Sequence, residues 1–218
     1  LWVAEGFDGL AAYKIGRGAK IEFIARYKDF FNDGSNVACQ WVFTPTSNII
    51  AAGPRTGKYY YLDVSNLPEI KFLGHVGYGP GWDKYPSNKA DTKGWYPSVR
   101  NRAGIMWLDL NAKKLEQVRD NSIKPYLTAG ICLFRNDTFL TCTEGSMYTF
   151  SSDKGSAKHI AKGGFDGMPV WDGADKVALT FRINRKITMV EYKEGGAPRI
   201  LWTEDTSGYP ETSIFWNG

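Results

Sequence analysis

A repeat runs through this chain, and a repeat period decides an architecture before any single motif does. Residues 168–192, MPVWDGADKVALTFRINRKITMVEY, read as three short strands parted by tight turns: Pro169 to Trp171, Lys176 to Phe181 and Lys186 to Tyr192. A fourth strand follows at Arg199 to Thr203. The same grammar recurs at 129–150 and at 38–63, the latter with Ile70 to Val76 as its outer strand. In each segment apolar and β-branched residues alternate, the period of a half-buried strand. The ends complement each other as well. The tail, Thr212 to Gly218, reads as a first strand with its turn, and the head, Leu1 to Ile15, supplies the strands that should follow it.

This pattern predicts an all-β, five-bladed β-propeller of four-stranded antiparallel blades, its ring closed by the C-terminal strand joining the N-terminal blade. The blades fall at 1–28 plus 209–218, 37–76, 77–120, 126–162 and 167–203, a mean period of about 44 residues over the chain, all within one domain. The third is the poorest match, because only Gly104 to Leu110 and Lys114 to Arg119 read as repeat strands. A β-sandwich with chance repeats is the competing architecture, and a fragment of a larger propeller would read identically.

Two segments, LWVAEGFDGLAAYKI at 1–15 and KYYYLDVSNLPEIKFLGHV at 58–76, resemble the LVIVD-type repeats of extracellular and cell-surface β-propellers. That resemblance implies a propeller at an extracellular or cell-surface location and names no activity. In size the chain is also similar to tachylectin-like five-bladed lectins, without their near-identical repeats. Arabinanase-like and fructosidase-like glycosidases share the architecture, but their opening catalytic Asp beside Pro has no counterpart here.

Composition narrows the function classes. Twenty-seven basic and 23 acidic residues leave a net charge of +4, too mild an excess for a nucleic-acid binder. No apolar run is long enough for membrane insertion. Three cysteines without CxxC spacing and two distant histidines indicate neither a disulfide framework nor a zinc site, with Cys132 and Cys142 the pair best placed to bridge adjacent strands. Calcium is compatible with a propeller shaft, but no cofactor is indicated. GxSxG and HExxH are absent, and Gly53 to Lys58 is a turn between strands without the helix of a phosphate-binding loop.

Loops on a rigid scaffold carry binding chemistry, so the expected site lies on the face bearing second-to-third-strand turns and blade-to-blade links. Alignment of the repeats puts Arg55, Arg100 with Arg102, and Arg182 with Arg185 into equivalent turns, where guanidinium forks suit carboxylate, sulfate or phosphate. The links add Trp82, Asp83, Tyr85, Trp95, Phe165 and Tyr209, rings on which the apolar faces of sugars stack. The excursion at 77–96 is the strongest single candidate segment, because a loop of that length without a repeat pattern is uncommon unless it functions. Trp41, Trp107, Trp171, Trp202 and Trp216 lie in expected strands and are assigned to packing.

The leading expectation is an extracellular propeller that binds a carbohydrate with acidic groups, or another anionic ligand, on its loop face. A carbohydrate-active enzyme, hydrolase or lyase, is the alternative. Its candidate catalytic groups are Glu5, Glu144 and Asp83 as acid, base or nucleophile, and His75 as a lyase base. A structural or protein-interaction propeller of a larger assembly is the third reading. Oligomeric state is not legible at this level.

Overall fold

In the computed structural model the described residues are 1–32, 34–54, 58–76, 87, 89–100, 104–112, 117–121, 130–153, 157–181 and 184–208. They form short antiparallel strands in chain order. Sheet one holds β1 (Trp2–Ala4), β2 (Leu10–Ile15) and β3 (Ile21–Tyr27), and a small hairpin of β4 (Phe31–Asn32) and β5 (Ser35–Asn36) follows. Sheet two is β6 (Trp41–Phe43), β7 (Ile49–Gly53), β8 (Tyr59–Asp63) and β9 (Lys71–Val76). Sheet three has β10 (Trp95–Arg100), β11 (Gly104–Asp109) and β12 (Gln117–Asn121). Sheet four is β13 (Ile131–Leu133), β14 (Phe139–Thr143), β15 (Ser146–Phe150) and β16 (Lys158–Lys162). Sheet five is β17 (Met168–Trp171), β18 (Lys176–Phe181), β19 (Lys186–Glu191) and β20 (Arg199–Asp205).

Four of these sheets share one plan. In each, a register shift interrupts pairing with the outer strand: Ala12/Tyr13 against β3, Tyr61/Leu62 against β9, Met147/Tyr148 against β16 and Met189/Val190 against β20. A bulge at that place bends the outer strand and blunts an edge whose N–H and C=O groups would otherwise recruit another strand. Because the shift in sheet one falls on β2, that strand matches the third strands β8, β15 and β19. Sheet one therefore begins, among the described residues, at the equivalent of a second strand.

A second repeated detail ties each turn to the next stretch of chain. Gly6, in the turn after β1, exchanges backbone hydrogen bonds with Cys39 ahead of β6, at 3.1 and 2.8 Å. In the later repeat Cys142 of β14 bridges Gly167, immediately before β17. Gly9 shows why that first turn needs glycine. Its φ is +91°, and a Cβ there would lie 2.1 Å from the Tyr27 carbonyl oxygen.

The expected count of five four-stranded blades does not hold. Sheets two, four and five have four strands, but sheets one and three have three among the described residues. The segment 209–218, expected to complete the first blade, lies outside the described residues. In the third expected blade, Trp95 and Tyr96 belong to β10 rather than to a loop. What stands is an all-β arrangement of antiparallel sheets of up to four strands in which four sheets share one plan.

By contacts the chain divides into two compact units, 1–82 with 108–117 and 83–107 with 118–218. The core of the first gathers Leu10, Phe30, Ile50 and Leu62, with Phe30 edge-on to both Tyr27 and Tyr60. In the second, Leu140, Val177, Leu179 and Val190 join sheets four and five, while Ile105 and Trp107 pack with Phe139 and Phe150. Val177 and Leu179 are alternate residues of β18, the face that a period of two sends inward, whereas β7 and β14 are buried on both faces. Cys39, Cys132 and Cys142 are buried and free, so the expected bridge between Cys132 and Cys142 is not formed. Trp107 is buried as expected for packing, whereas Trp202 on the outer strand β20 is 43% exposed.

Candidate functional site

In the second unit a cavity of about 220 Å³ opens beside the ends of sheets four and five. Two turns make its walls. Phe134 to Thr138 joins β13 to β14 and is closed by the Phe134 amide donating to the Thr138 carbonyl at 2.7 Å. Tyr192 to Gly196 follows β19 and is closed by the Gly196 amide donating to the Lys193 carbonyl at 2.9 Å. The Phe134 and Tyr192 rings stack with centroids 5.1 Å apart, and Trp171 meets Phe134 edge-on at 5.2 Å. Both stacked side chains are nearly inaccessible, so they brace the two turns from beneath and leave no open ring face. Burial pushes the Tyr192 phenol up, with Glu194 adding to the effect.

Polar groups line the rest. Thr149 of β15 and Lys158 of β16 are register partners, so their side chains share the sheet face that borders the cavity. Among the described residues Lys158 makes no ion pair, while Glu194 on the opposite turn pairs with Arg135, whose Nε lies 3.5 Å from its Oε2. Ser151 follows β15 and borders the cavity too. Its hydroxyl is buried and has no hydrogen-bond partner among the described residues. A buried hydroxyl left unpaired costs about 1–3 kcal/mol, so its persistence calls for an explanation. At roughly 30 Å³ per water the cavity has room for about seven, enough for one sugar ring and below the roughly 300 Å³ at which sites for larger ligands begin.

The residues expected from the sequence are distributed differently. Glu5 sits in the turn after β1 with its Oε1 accepting from the Tyr13 hydroxyl at 2.5 Å and its Oε2 from Arg26. The tyrosine hydrogen bond first, then the arginine, hold its carboxyl below the ordinary value of 4.5. A carboxylate held in its ionised form is ill-suited to donate a proton as a general acid. His75, on β9, lies against Tyr60 and Phe72 with ring centroids 5.7 and 6.3 Å away. Glu5 and His75 belong to the first unit, whereas Glu144, Phe165, Trp95 and Arg185 belong to the second.

Glu144 is exposed at a left-handed φ of 51° in the turn between β14 and β15. The structure joins that turn to the following link: the Gly145 amide donates to Asp166 Oδ1 at 2.7 Å, and its carbonyl accepts from Phe165. Phe165 itself is 5% exposed and packs in the core, leaving its ring no open face. Trp95 is half-buried against Ile105 and Trp107. Arg185 occupies an exposed turn at φ 51°, its carbonyl accepting from Thr206. The side chain of Arg100, at the end of β10, and Arg55, Trp82, Asp83, Tyr85, Arg102, Arg182 and Tyr209 lie outside the described residues.

One polar cluster in the second unit had no motif to announce it. Asp91, 5% exposed, accepts the Lys93 and Trp95 amides at 2.9 and 2.8 Å and the Ser152 hydroxyl at 3.2 Å. Burial raises its carboxyl above the ordinary 3.8 against the pull of those donors. Lys93 beside it reaches Asp153 at 2.6 Å. The cluster fixes the start of β10 against the turn after β15. Among the described residues no helix is long and apolar enough to cross a membrane, and no group of three or more His, Cys, Asp or Glu could hold a metal ion.

No protein-family model matches the chain, and no curated protein matches it. Solved structures do. A protein from Lactobacillus plantarum superposes with a TM-score of 0.63 at 13% identity, over 95% of this chain and 68% of that one. The C-terminal WD40 domain of Sif2 gives 0.55 at 12% identity, over 95% and 69%. A chain of the outer-coat vertex of COPII on membranes gives 0.61 at 14%, over 95% and 59%. At such identities the likeness speaks for fold alone. The chain thus has a β-propeller fold.

Proposed function

We propose that this chain is a ligand-binding module of the propeller type that takes a carbohydrate carrying acidic groups, and that the cavity beside sheets four and five receives it. The observation that carries the reading is the buried Ser151 hydroxyl, without a hydrogen-bond partner among the described residues, bordering the same cavity as Lys158, a cation that forms no ion pair among them. A ligand carboxylate would satisfy the second, and a turn of the Ser151 side chain toward the cavity would let a ligand hydroxyl satisfy the first. Thr138 and Thr149 offer further donors and acceptors around the ligand. An extracellular or cell-surface location goes with such a ligand and forms part of the proposal. The cavity holds one ring, so the reading extends to recognition of a chain end rather than of a run of residues.

The Ser151→Ala variant tests it through two readouts that should move in opposite directions. Removing a hydroxyl that is buried and unpaired is expected to raise the unfolding free energy by about 1 kcal/mol. The same change should weaken calorimetric binding of a galacturonic acid trimer several-fold. A variant that loses stability and binds the trimer unchanged would show that the hydroxyl serves the fold.

A further inference from the structure

Two opposite charges border the cavity without meeting. Lys158, at the start of β16, and Glu194, in the turn after β19, both line it, yet no ion pair joins them. Glu194 is instead taken by Arg135 on the far side of Phe134, with Nε at 3.5 Å from Oε2. Arg135 is itself fixed in two ways. Its guanidinium lies over the Phe134 ring, 5.4 Å from the centroid, and its backbone sits at a left-handed φ of 63°. A non-glycine residue in that region is uncommon, and the conformation aims this side chain from the turn across to the neighbouring one.

We infer that Arg135 is a positioning residue that sets the cavity's preference for anions, an inference that rests on the binding function proposed above. Held by Arg135, Glu194 is kept from neutralising Lys158, and Lys158 remains available to an incoming carboxylate. Without Arg135, the Glu194 carboxylate lining the same cavity is released to compete for Lys158, and it repels a ligand of its own sign. A cation already paired within the chain must first be freed before it can hold a ligand, so at the exposed Lys158 the pairing pattern decides specificity more than the number of charges does.

The experiment measures binding of a galacturonic acid trimer and of a neutral galactose trimer to four proteins: the parent, Arg135→Gln, Glu194→Gln and the double variant. The expected result is a preference of the parent for the acidic trimer that falls about tenfold in Arg135→Gln, with neutral binding unchanged. Adding Glu194→Gln to that variant should restore the preference, because the competitor has lost its charge. Thermal unfolding of all four separates this from a fold defect. If Arg135→Gln leaves the ratio of acidic to neutral binding unchanged, or lowers both together with Tm, Arg135 is not a selectivity device although the binding function stands. If the double variant fails to recover, the competition by Glu194 is disproved. If the parent binds neither trimer, the binding function and this inference fall together.

Discussion

Asp91 shows how a single buried carboxyl both builds and weakens a junction. Its two backbone donors and Ser152 organise the approach to β10, but its burial disfavours the charge that those donors prefer. The folded-state value lies above the ordinary 3.8, so its contribution to stability is full below that value and is lost as pH rises through the folded one. Asp91→Asn keeps an acceptor for the Lys93 and Trp95 amides without the charge. It should therefore gain on the parent as pH rises from about 4 toward neutrality, seen as a flatter profile of urea-unfolding midpoints. Asp91→Ala leaves both amides unpaired and should cost about 1–3 kcal/mol across the range. Glu5 has the opposite character: Tyr13 and Arg26 hold it low, and its support of the turn after β1 is lost only as pH falls through that lowered value.

At the scale of elements, the strands were the most legible part of the sequence. Lys176 to Phe181 is β18 residue for residue, and the expected strands beginning at Ile70, Lys186 and Arg199 differ from β9, β19 and β20 only at their ends. Alternation every second residue reports a face buried against a neighbour, and it survives without knowledge of which neighbour. What remained illegible was the cavity. Phe134, Ser151, Lys158 and Glu194 come from four separated positions, and none forms a motif with another; only the packing of sheet four on sheet five brings them to one place. Ser151 in particular reads as an ordinary turn serine, since nothing in a sequence tells that a hydroxyl lacks a partner. The third blade misled for a related reason: Trp95 and Tyr96, rich in ring and beside glycine, read as loop until Tyr96 is seen buried with its hydroxyl on the Ser87 carbonyl. Turns are more exacting than strands here. Gly9→Ala forces a Cβ onto the Tyr27 carbonyl at a positive φ and should destabilise the protein by about 2 kcal/mol or more by chemical denaturation, whereas Ala at Gly173, which has open space around it, carries only the conformational part of that penalty.

For the whole molecule, the count of blades depended on reading the two chain ends as halves of one unit, an assumption that hydropathy alone could not check. The shared outer-strand bulges give a firmer internal ruler, because they mark equivalent third strands in four sheets without reference to the termini. Net charge belongs to this scale as well. An excess of +4 spread over 218 residues assists the approach of an anion only weakly. If Lys158 holds the acidic group locally, raising salt from about 50 to about 500 mM should weaken binding of the galacturonic acid trimer by less than about tenfold, measured by titration calorimetry; a far steeper loss would point to a diffuse basic surface. The interior offers a last consequence. Burial pushes the Cys39 and Cys132 thiols up to about 12 and raises Cys142 well above the ordinary 9.0, so at neutral pH none is a thiolate or within reach of a reagent. To maleimide chemistry the native chain is therefore silent, and a cysteine introduced at the exposed Phe7 or at Asn136 would accept a fluorophore as a unique label with every native residue of the core left in place.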